Sequence, residues 1–331
     1  MKIRIGMAGY GLVGRYHFIP ALRNSRYAEL IGVCGSNVER CRKFAEEMGI
    51  HRCYKNYEEM LADSSIDAVL IATPNYLHCP QVISAAEAGK HILCEKPMAI
   101  NMKEAYHMVE VCDKAGVIFM VAHHLRYKAC NMKVKEMVSN GDMGRISTAR
   151  VRWSFNHTNA EPDKDWRMKK ELAGGGQILN VNSHCVDLLV YLLGEPLKVS
   201  AFIQKEAGDE VEEGSVIVIE FADGIIGIAQ GSYREETVPN NLEMFGSRCS
   251  LIVEGACSTD RHGSIRNLTT GDYEKVEFDE SPYTVEIDHF AKAIMERFEP
   301  VSSGRKTLDT MRVLMASYQS AETGKHIYLK S

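Results

Sequence analysis

A glycine-rich turn near the N-terminus constrains the fold of this chain more than any other feature. The turn, Gly9-Tyr10-Gly11-Leu12-Val13-Gly14, follows an apolar segment typical of a strand, Ile3–Ala8, and opens a segment with helical periodicity, Val13–Arg23. Glycines in this context allow a tight turn, close approach of the backbone to a pyrophosphate, and packing of the helix on the strand. The helix N-terminus then faces the phosphates. We therefore predict a dinucleotide-binding domain whose cofactor contacts include Gly9, Gly11, Leu12, Val13 and Gly14.

The alternation of strand and helix continues through residues 1–122. Further strands are predicted at Leu30–Cys34, Ala68–Ala72, His91–Cys94 and Ile118–Val121, with helices at Val38–Met48, Pro80–Ala88 and Lys103–Ala115. Such a βαβ rhythm is typical of a parallel sheet covered on both faces. The predicted fold class is α/β, and residues 1–122 form a doubly wound Rossmann domain.

The pattern changes in residues 123–331, where long segments alternate with a period of two. Strands are predicted at Ser147–Phe155, Lys198–Lys205, Ser215–Phe221, Ile225–Tyr233, Leu242–Phe245 and Ser250–Glu254, and helices at Met132–Ser139, Cys185–Leu193, Val285–Arg297 and Leu308–Glu322. We predict an α+β domain with a large, mostly antiparallel sheet that binds substrate. The apolar residues of Ser215–Phe221 run partly without interruption, which indicates a sheet that is buried on both faces. Helices would cover one face and a partner subunit the other, so we expect a homodimer or homotetramer.

Composition limits the classes of function. A length of 331 residues favours two domains, and a formal net charge of -5 gives no basic surface for nucleic acid. The apolar stretches are too short to span a bilayer, and no signal peptide is expected. The ten cysteines and twelve histidines lack metal-binding spacings, so no metal is predicted. We expect free thiols and a reducing, cytoplasmic location.

The end of the second predicted strand bears on the choice of cofactor. An acidic residue at this point accepts the ribose 2′-hydroxyl of NAD, but here Gly35 stands 21 residues after Gly14 and no acid follows at once. Ser36, Asn37 and Arg40 can instead hold a 2′-phosphate through hydroxyl, amide and guanidinium donors. This favours NADP over NAD. In the alternative interpretation, Ser36 or Asn37 only caps the next helix and Arg40 is a surface residue.

Lys96 follows the fourth predicted strand in the sequence Glu95-Lys96-Pro97. The carboxyl end of a strand in an open α/β sheet delivers its next residues to the ligand crevice. A lysine there can donate a hydrogen bond to a substrate oxygen or take part in proton transfer. The alternative is a solvated lysine that ends a strand.

Several motifs, in this order, resemble the glucose-fructose oxidoreductase, inositol dehydrogenase and rhizopine catabolism (Gfo/Idh/MocA) family over essentially the whole chain. They are the glycine turn, Ala72-Thr73-Pro74-Asn75 with His78, Gly89-Lys90-His91, Glu95-Lys96-Pro97, Gly174-Gly175-Gly176 leading to His184 and Asp187, Leu242-Glu243-Met244-Phe245-Gly246, and the segment Glu286–Phe290. The resemblance implies a nicotinamide-dependent enzyme that oxidises or reduces a carbinol or carbonyl carbon of a sugar, sugar derivative or cyclic polyol.

The resemblance also implies roles for particular residues. By this match Lys96 lies beside the substrate and the nicotinamide of the cofactor and contacts the reacting oxygen, and the Lys96–Pro97 peptide is expected to be cis. The remaining cofactor-binding residues implied by the match are Thr73, Pro74, Asn75, His78, Glu95, Trp166 and Arg167.

The chain departs from the family pattern at Asn180, where an aspartate is usual four residues before the histidine. An asparagine can orient a hydroxyl but cannot accept its proton. The remaining proton acceptors are His184, which titrates near neutrality, and Lys96, which needs a lowered pKa. Asp187 either orients His184 or only forms a salt bridge within the domain. Lys96, His184 and Asn180 are the predicted catalytic residues.

Two other functions stay open at this point. Some relatives keep NAD bound and use transient oxidation to cleave a glycosidic bond, and the same scaffold can serve a non-catalytic nucleotide sensor. The substrate itself cannot be named from spacing. Candidate pocket residues that spacing does not rank are Arg126, His157, Asn159, Tyr233 and Arg234.

Overall fold

The computed structural model describes residues 2–157, 166–236 and 238–329, which form two compact units. The first unit comprises Met1–Ala99, Lys103–Ala122 and Tyr283–Thr307, and the second comprises Ile100–Met102, His123–Pro282 and Leu308–Ser331. Within the described ranges, no helix combines the length and apolar composition needed to cross a membrane.

The first unit is built on a six-stranded parallel sheet. Its strands are β1 (Ile3–Ala8), β2 (Ala28–Cys34), β3 (Arg52–Cys53), β4 (Ala68–Ile71), β5 (His91–Glu95) and β6 (Phe119–Ala122). Their order, β3-β2-β1-β4-β5-β6, is that of a Rossmann fold, with the switch point between β1 and β4. The four residues of β4 are fully buried, as expected for a strand covered on both faces. The predicted fold class is confirmed.

Helices connect these strands. A π-helical turn, Gly14–Phe18, leads into α1 (Ile19–Asn24), and α2 (Val38–Glu47), α3 (Tyr57–Ala62), α4 (His78–Glu87) and α5 (Met102–Ala115) follow. Asn37 and Asn56 cap α2 and α3, since each side chain accepts a hydrogen bond from the backbone N–H three residues on.

The second unit is built on a nine-stranded sheet. Its strands are β7 (Ile146–Ser154), β8 (Pro196–Gln204), β9 (Gly214–Phe221), β10 (Ile226–Ser232), β11 (Leu242–Gly246), β12 (Ser250–Glu254), β13 (His262–Asn267), β14 (Tyr273–Glu277) and β15 (Ile327–Tyr328). The order is β14-β13-β12-β11-β7-β10-β9-β8-β15. The pair β7–β10 is parallel and the other pairs are antiparallel, which confirms a mostly antiparallel sheet.

Helices of the second unit cover one face of this sheet. They are α6 (Ala129–Ser139), which contacts β13 and β14, α8 (Ser183–Leu193), which contacts β7 and β10, and the later helix Leu308–Thr323, which contacts β8. A short helix, α7 (Lys170–Ala173), and a π-helical turn, Ile178–Asn182, come before α8. Every second residue of β9, such as Ile217 and Ile219, is fully buried, whereas the alternate residue Val216 is 37% exposed. The strands therefore have one covered and one open face.

The C-terminal region is shared between the two units. Helix α9 (Pro282–Glu296) groups with the first unit, whereas the sequence analysis placed it in the second domain; α10 (Leu308–Thr323) groups with the second. Asp288 of α9 accepts hydrogen bonds from the Ser25 hydroxyl and the Arg26 N–H. Met120 of β6 forms an isolated antiparallel bridge with Ser303. These contacts explain the grouping of the segment.

Candidate active site

The glycine turn has the geometry that dinucleotide binding needs. Gly9 has a positive φ of 87°, and its N–H donates to the Cys34 carbonyl at 3.0 Å. A Cβ at Gly9 would lie 2.4 Å from the Ala72 carbonyl oxygen, so only glycine fits between β1 and β4. A Cβ at Gly11 would meet no described atom within 4 Å, which leaves the backbone open to a ligand. The turn therefore fits a pyrophosphate.

The side chains around this turn differ in exposure. Leu12 is 67% exposed and Val13 is half-buried. Gly14 opens the π-helical turn and packs beside the Gly9 carbonyl, which a Cβ would approach to 3.2 Å. The turn and the helix start are thus held together by close backbone packing.

The end of β2 carries no carboxylate. Gly35 is followed by Ser36 and Asn37, both exposed, and Arg40 is exposed on the first turn of α2. The Asn37 side chain accepts from the Arg40 N–H at 2.9 Å. Asn37 is therefore the helix cap considered in the sequence analysis, while Ser36 and Arg40 present polar groups to solvent.

His78 ties two loops together at the carboxyl edge of the sheet. Its ring is fully buried, with Nδ1 2.9 Å from the Pro97 carbonyl oxygen and Nε2 3.0 Å from the Thr73 carbonyl oxygen. Burial, the largest cause, lowers the pKa of His78, while the hydrogen bonds to the two carbonyls oppose that shift. The Thr73 hydroxyl donates to Gln81 at 2.7 Å, and Asn75 is buried in a 3-10 turn. Together with Pro74, these residues form a fixed loop after β4.

Lys96 lies directly beyond β5, half-buried. Its backbone N–H donates to the buried Glu95 carboxylate at 2.9 Å, and the Lys96–Pro97 peptide is cis, as the resemblance implied. The first unit thus brings the glycine turn, the loop after β4 and Lys96 to the carboxyl edge of one sheet.

Asn180 and His184 lie in the second unit, on the π-helical turn and on α8. The Asn180 amide donates to the Tyr233 hydroxyl at 2.6 Å. His184 is 8% exposed, and its ring packs against Trp153 at a centroid distance of 4.7 Å and edge-on against His124 at 5.0 Å. Sequence reasoning did not single out Trp153 as a neighbour of this histidine.

Asp187 is engaged by Arg126 rather than by His184. Its oxygens accept from Arg126 Nε at 2.8 Å and Nη2 at 2.6 Å, and from the Thr310 hydroxyl at 3.0 Å. Burial alone would raise the pKa of Asp187, but Arg126 and His123 outweigh it and hold the pKa below its usual range. Of the two roles considered, this contact supports a salt bridge within the domain. It also assigns Arg126, a candidate pocket residue, to a buried ion pair.

A buried carboxylate that sequence reasoning missed supports the glycine triplet. Glu212 accepts hydrogen bonds from the N–H groups of Gly176 and Ile178 at 3.1 and 2.9 Å, and from the Tyr318 hydroxyl at 2.8 Å. A Cβ at Gly175 would lie 1.9 Å from that hydroxyl. Through this one acid, the turn that carries Asn180 is tied to the segment just before β9 and to Tyr318 of α10. No spacing rule reveals this connection.

The remaining candidates lie elsewhere in the second unit. Trp166 and Arg167 share a 3-10 turn, with the guanidinium 4.6 Å from the indole centroid. The His157 ring lies 5.0 Å from Tyr233, and Arg234 forms ion pairs with Glu206 and Glu213. Asn159 lies outside the described residues. Within those residues no cluster of three or more His, Cys, Asp or Glu side chains can hold a metal ion.

A Rossmann unit whose glycine turn fits a pyrophosphate, in one chain with an α+β unit, is the architecture of two-domain nicotinamide-dependent oxidoreductases. Residues 3–123 match the family described as "Oxidoreductase family, NAD-binding Rossmann fold", and residues 131–252 match the GFO/IDH/MocA C-terminal domain. The chain belongs to the Gfo/Idh/MocA oxidoreductase family, and the resemblance drawn from its sequence is confirmed.

The chain resembles named proteins over nearly their whole length. It is 28% identical to a 1,5-anhydro-D-fructose reductase of Ensifer adhaerens over 97% of each chain. It is also 28% identical to a D-xylose 1-dehydrogenase (NADP(+)) of Haloferax volcanii, over 98% of this chain and 99% of that one. The structure of an aldose-aldose oxidoreductase from Caulobacter crescentus complexed with glycerol superimposes with a TM-score of 0.92 at 26% identity, covering 99% of this chain and all of that one.

Proposed function

We propose that this oxidoreductase transfers a hydride between a nicotinamide cofactor and a carbinol or carbonyl carbon of a sugar, sugar derivative or cyclic polyol. The observation that carries the proposal is the position of Lys96, half-buried beyond β5 at the same sheet edge as the phosphate-binding turn. The names of the two enzymes that match the chain over nearly its whole length support a sugar-like substrate.

Each proposed catalytic residue has a role that its chemistry permits. When bound, the nicotinamide ring supplies the hydride acceptor or donor. The Lys96 ammonium donates a hydrogen bond to the reacting oxygen and stabilises its negative charge. His184 moves the hydroxyl proton, because an imidazole exchanges protons near neutral pH. Asn180 orients the substrate hydroxyl through its amide and takes no proton.

The catalytic assignment is tested by Lys96→Ala and His184→Ala. Each variant should bind the cofactor normally but lose at least about a hundredfold in kcat, the typical contribution of a general acid or base. Lys103→Ala and His51→Ala, at exposed positions of the first unit, are the matched controls and should keep wild-type rates. The assay follows nicotinamide absorbance across a panel of sugars and polyols. A kcat close to the wild-type value in either site variant would rule out the catalytic role proposed for that residue.

We further propose that the cofactor is NADP, because the end of β2 offers Ser36 and Arg40 and no carboxylate. Arg40→Ala should weaken NADP binding about tenfold and leave the Kd for NAD unchanged, since only NADP carries the 2′-phosphate. Arg42→Ala is the control, because it removes the same charge two residues further along the helix. Arg42 pairs with Glu39 on the helix surface. Tighter binding of NAD that Arg40→Ala does not alter would overturn the assignment.

We also propose that the chain assembles as a homodimer or homotetramer through the open face of the second sheet. Support comes from apolar residues on that face: Phe202 is 78% exposed, and Val218 pairs in register with Ile228.

A reducing, cytoplasmic location is proposed as well, since all ten cysteines are free thiols.

A further inference from the structure

The space beside Gly35 is filled by the ring of Tyr10. A Cβ at Gly35 would lie 2.3 Å from Tyr10 Cε1, 2.9 Å from Cζ and 3.1 Å from Oη. Contacts between carbon atoms are normally ~3.5–4.0 Å. The φ angle of Gly35 lies outside the left-handed region, so its backbone accepts a side chain. The tyrosine ring, and not the backbone conformation, restricts this position to glycine.

Contacts on two sides hold the Tyr10 ring in this place. It stacks on the buried Phe44 of α2, with ring centroids 4.7 Å apart and planes at 22°. Its hydroxyl lies 3.4 Å from the Asn37 carbonyl oxygen, to which it donates. The Arg15 guanidinium covers the Phe44 ring, 5.1 Å from the ring centroid. Arg15 in turn forms a bidentate ion pair with Glu47. Moving the ring away from Gly35 therefore disrupts a stacked pair.

Gly35 occupies the position where a Rossmann domain selects its cofactor. It follows the last residue of β2, 21 residues after Gly14, where an acidic side chain accepts the ribose 2′-hydroxyl of NAD and repels a 2′-phosphate. Resting on the proposed NADP-dependent function, we propose that Tyr10 is a specificity-determining residue: its ring excludes an acidic side chain from position 35 and so preserves the preference for NADP. The second position of the glycine turn then controls which side chain the end of β2 can carry.

The steric part of the proposal is tested on the protein without cofactor. Gly35→Ala should lower the melting temperature by about 3 °C or more, because the new methyl group must displace a packed ring. In a Tyr10→Ala background the same change should have no effect. Gly11→Ala is the matched control for stability, since a Cβ there meets no described atom within 4 Å. Equal melting shifts in the two backgrounds would show that the two positions are independent and would overturn the proposal.

The specificity part is tested by measuring Kd values for NADP and NAD. Gly35→Asp alone should weaken both cofactors without creating a preference for NAD, because the carboxylate cannot settle beside the ring. Tyr10→Ala/Gly35→Asp should favour NAD by at least about tenfold relative to Tyr10→Ala. Tyr10→Phe/Gly35→Asp, which keeps the ring and removes its hydroxyl, should behave like Gly35→Asp alone.

The outcomes separate this proposal from the one it rests on. If Gly35→Asp alone shifts the preference to NAD as far as the double variant does, Tyr10 does not exclude the acid and the proposal fails. If the wild-type protein prefers NAD, the NADP assignment fails, while the melting comparison still decides whether Tyr10 restricts position 35.

Discussion

The Asn180 amide, hydrogen-bonded to the Tyr233 hydroxyl at 2.6 Å, leaves His184 as the proposed proton acceptor in the second unit. Asn180→Asp should keep the contact, because the tyrosine hydroxyl can donate to a carboxylate, and it adds a second proton acceptor. In a His184→Ala background the substitution should restore kcat about tenfold and move the pH profile to lower pH. Asn180→Ala in that background is the control. If Asn180→Asp and Asn180→Ala change kcat equally in the His184→Ala background, the residue at position 180 does not take part in proton transfer.

His289 gives the first unit a predictable sensitivity to acid. Burial first, and then Lys306 and Lys292, lower the pKa of His289 to about 4, and its Nε2 accepts from the Val301 N–H at 3.1 Å. Because the folded pKa lies below the unfolded value, the folded state binds fewer protons. The stabilisation is complete above pH 6.5 and is lost progressively as the pH falls from 6.5 to about 4.

Denaturant unfolding between pH 7 and 4 measures this effect. The free energy of unfolding should fall by up to about 2 kcal/mol from His289 alone, after allowance for water around the half-buried ring. His289→Gln, which keeps a hydrogen-bond acceptor but does not titrate, should flatten the dependence over this range. An unchanged slope in that variant would show that other groups carry the acid sensitivity; burial also lowers the pKa values of His17, His78 and His91.

Individual residues were predictable where a local pattern carried them. The glycine turn follows from a short motif, since a turn needs only neighbouring residues, and the cis peptide at Lys96–Pro97 was implied by the family resemblance of the Glu95-Lys96-Pro97 motif. The contact between Tyr10 and Gly35 joins residues 25 positions apart, and the Arg126–Asp187 pair joins residues 61 apart. No spacing rule connects such partners, so they required the structure.

Among the elements, the helix that carries His184 depends on an acid from another part of the unit. Glu212 accepts from the Gly176 and Ile178 N–H groups at the start of the π-helical turn, where a helix has unpaired donors. Glu212→Gln places an NH2 group against these donors and should lower the free energy of unfolding by about 1–3 kcal/mol. Chemical denaturation of the variant measures the loss.

Two further variants separate this capping from a general loss of charge. Glu195→Gln, at an exposed position between α8 and β8, should change the free energy of unfolding by no more than about 0.5 kcal/mol. Tyr318→Phe removes the hydroxyl that donates to Glu212. This substitution should lower the free energy of unfolding by less in the Glu212→Gln background than in the wild type. Additive effects of the two substitutions would mean that the hydroxyl and the carboxylate act separately.

The elements that the sequence did not reveal are short or polar. Strand β3 has two residues and α3 has six, too few for a periodic signal. Strand β14 is mostly exposed, with the sequence Tyr-Glu-Lys-Val-Glu, so it lacks the apolar alternation that marked β9. The longer elements were predicted within a few residues because each buries one face, and burial is what produces the periodicity.

At the scale of the whole molecule, each of the two units is built from separate stretches of the chain, so the order of helices and strands along the sequence does not give the division into units. Helix α9 groups with the Rossmann unit although eight of the nine strands of the second sheet precede it. A boundary drawn where the pattern changes, near residue 122, separates two types of sheet but cannot detect a helix that returns. Such returns depend on contacts like that between Ser25 and Asp288, 263 positions apart.

The open face of the second sheet makes the assembly of the whole molecule testable. Val218 and Ile228 are neighbours in register on this face, and the exposed Phe202 pairs with Val216 beside them. Val218→Lys/Ile228→Lys places two positive charges on adjacent strands and should convert the proposed oligomer to a monomer, because buried like charges cost far more than exposed ones. Tyr106→Lys, on an exposed side chain of α5, is the control and should leave the assembly intact. Light scattering coupled to size-exclusion chromatography gives the mass of each variant; a wild-type mass near 37.1 kDa, or an oligomer that survives both lysines, would rule out assembly through this face.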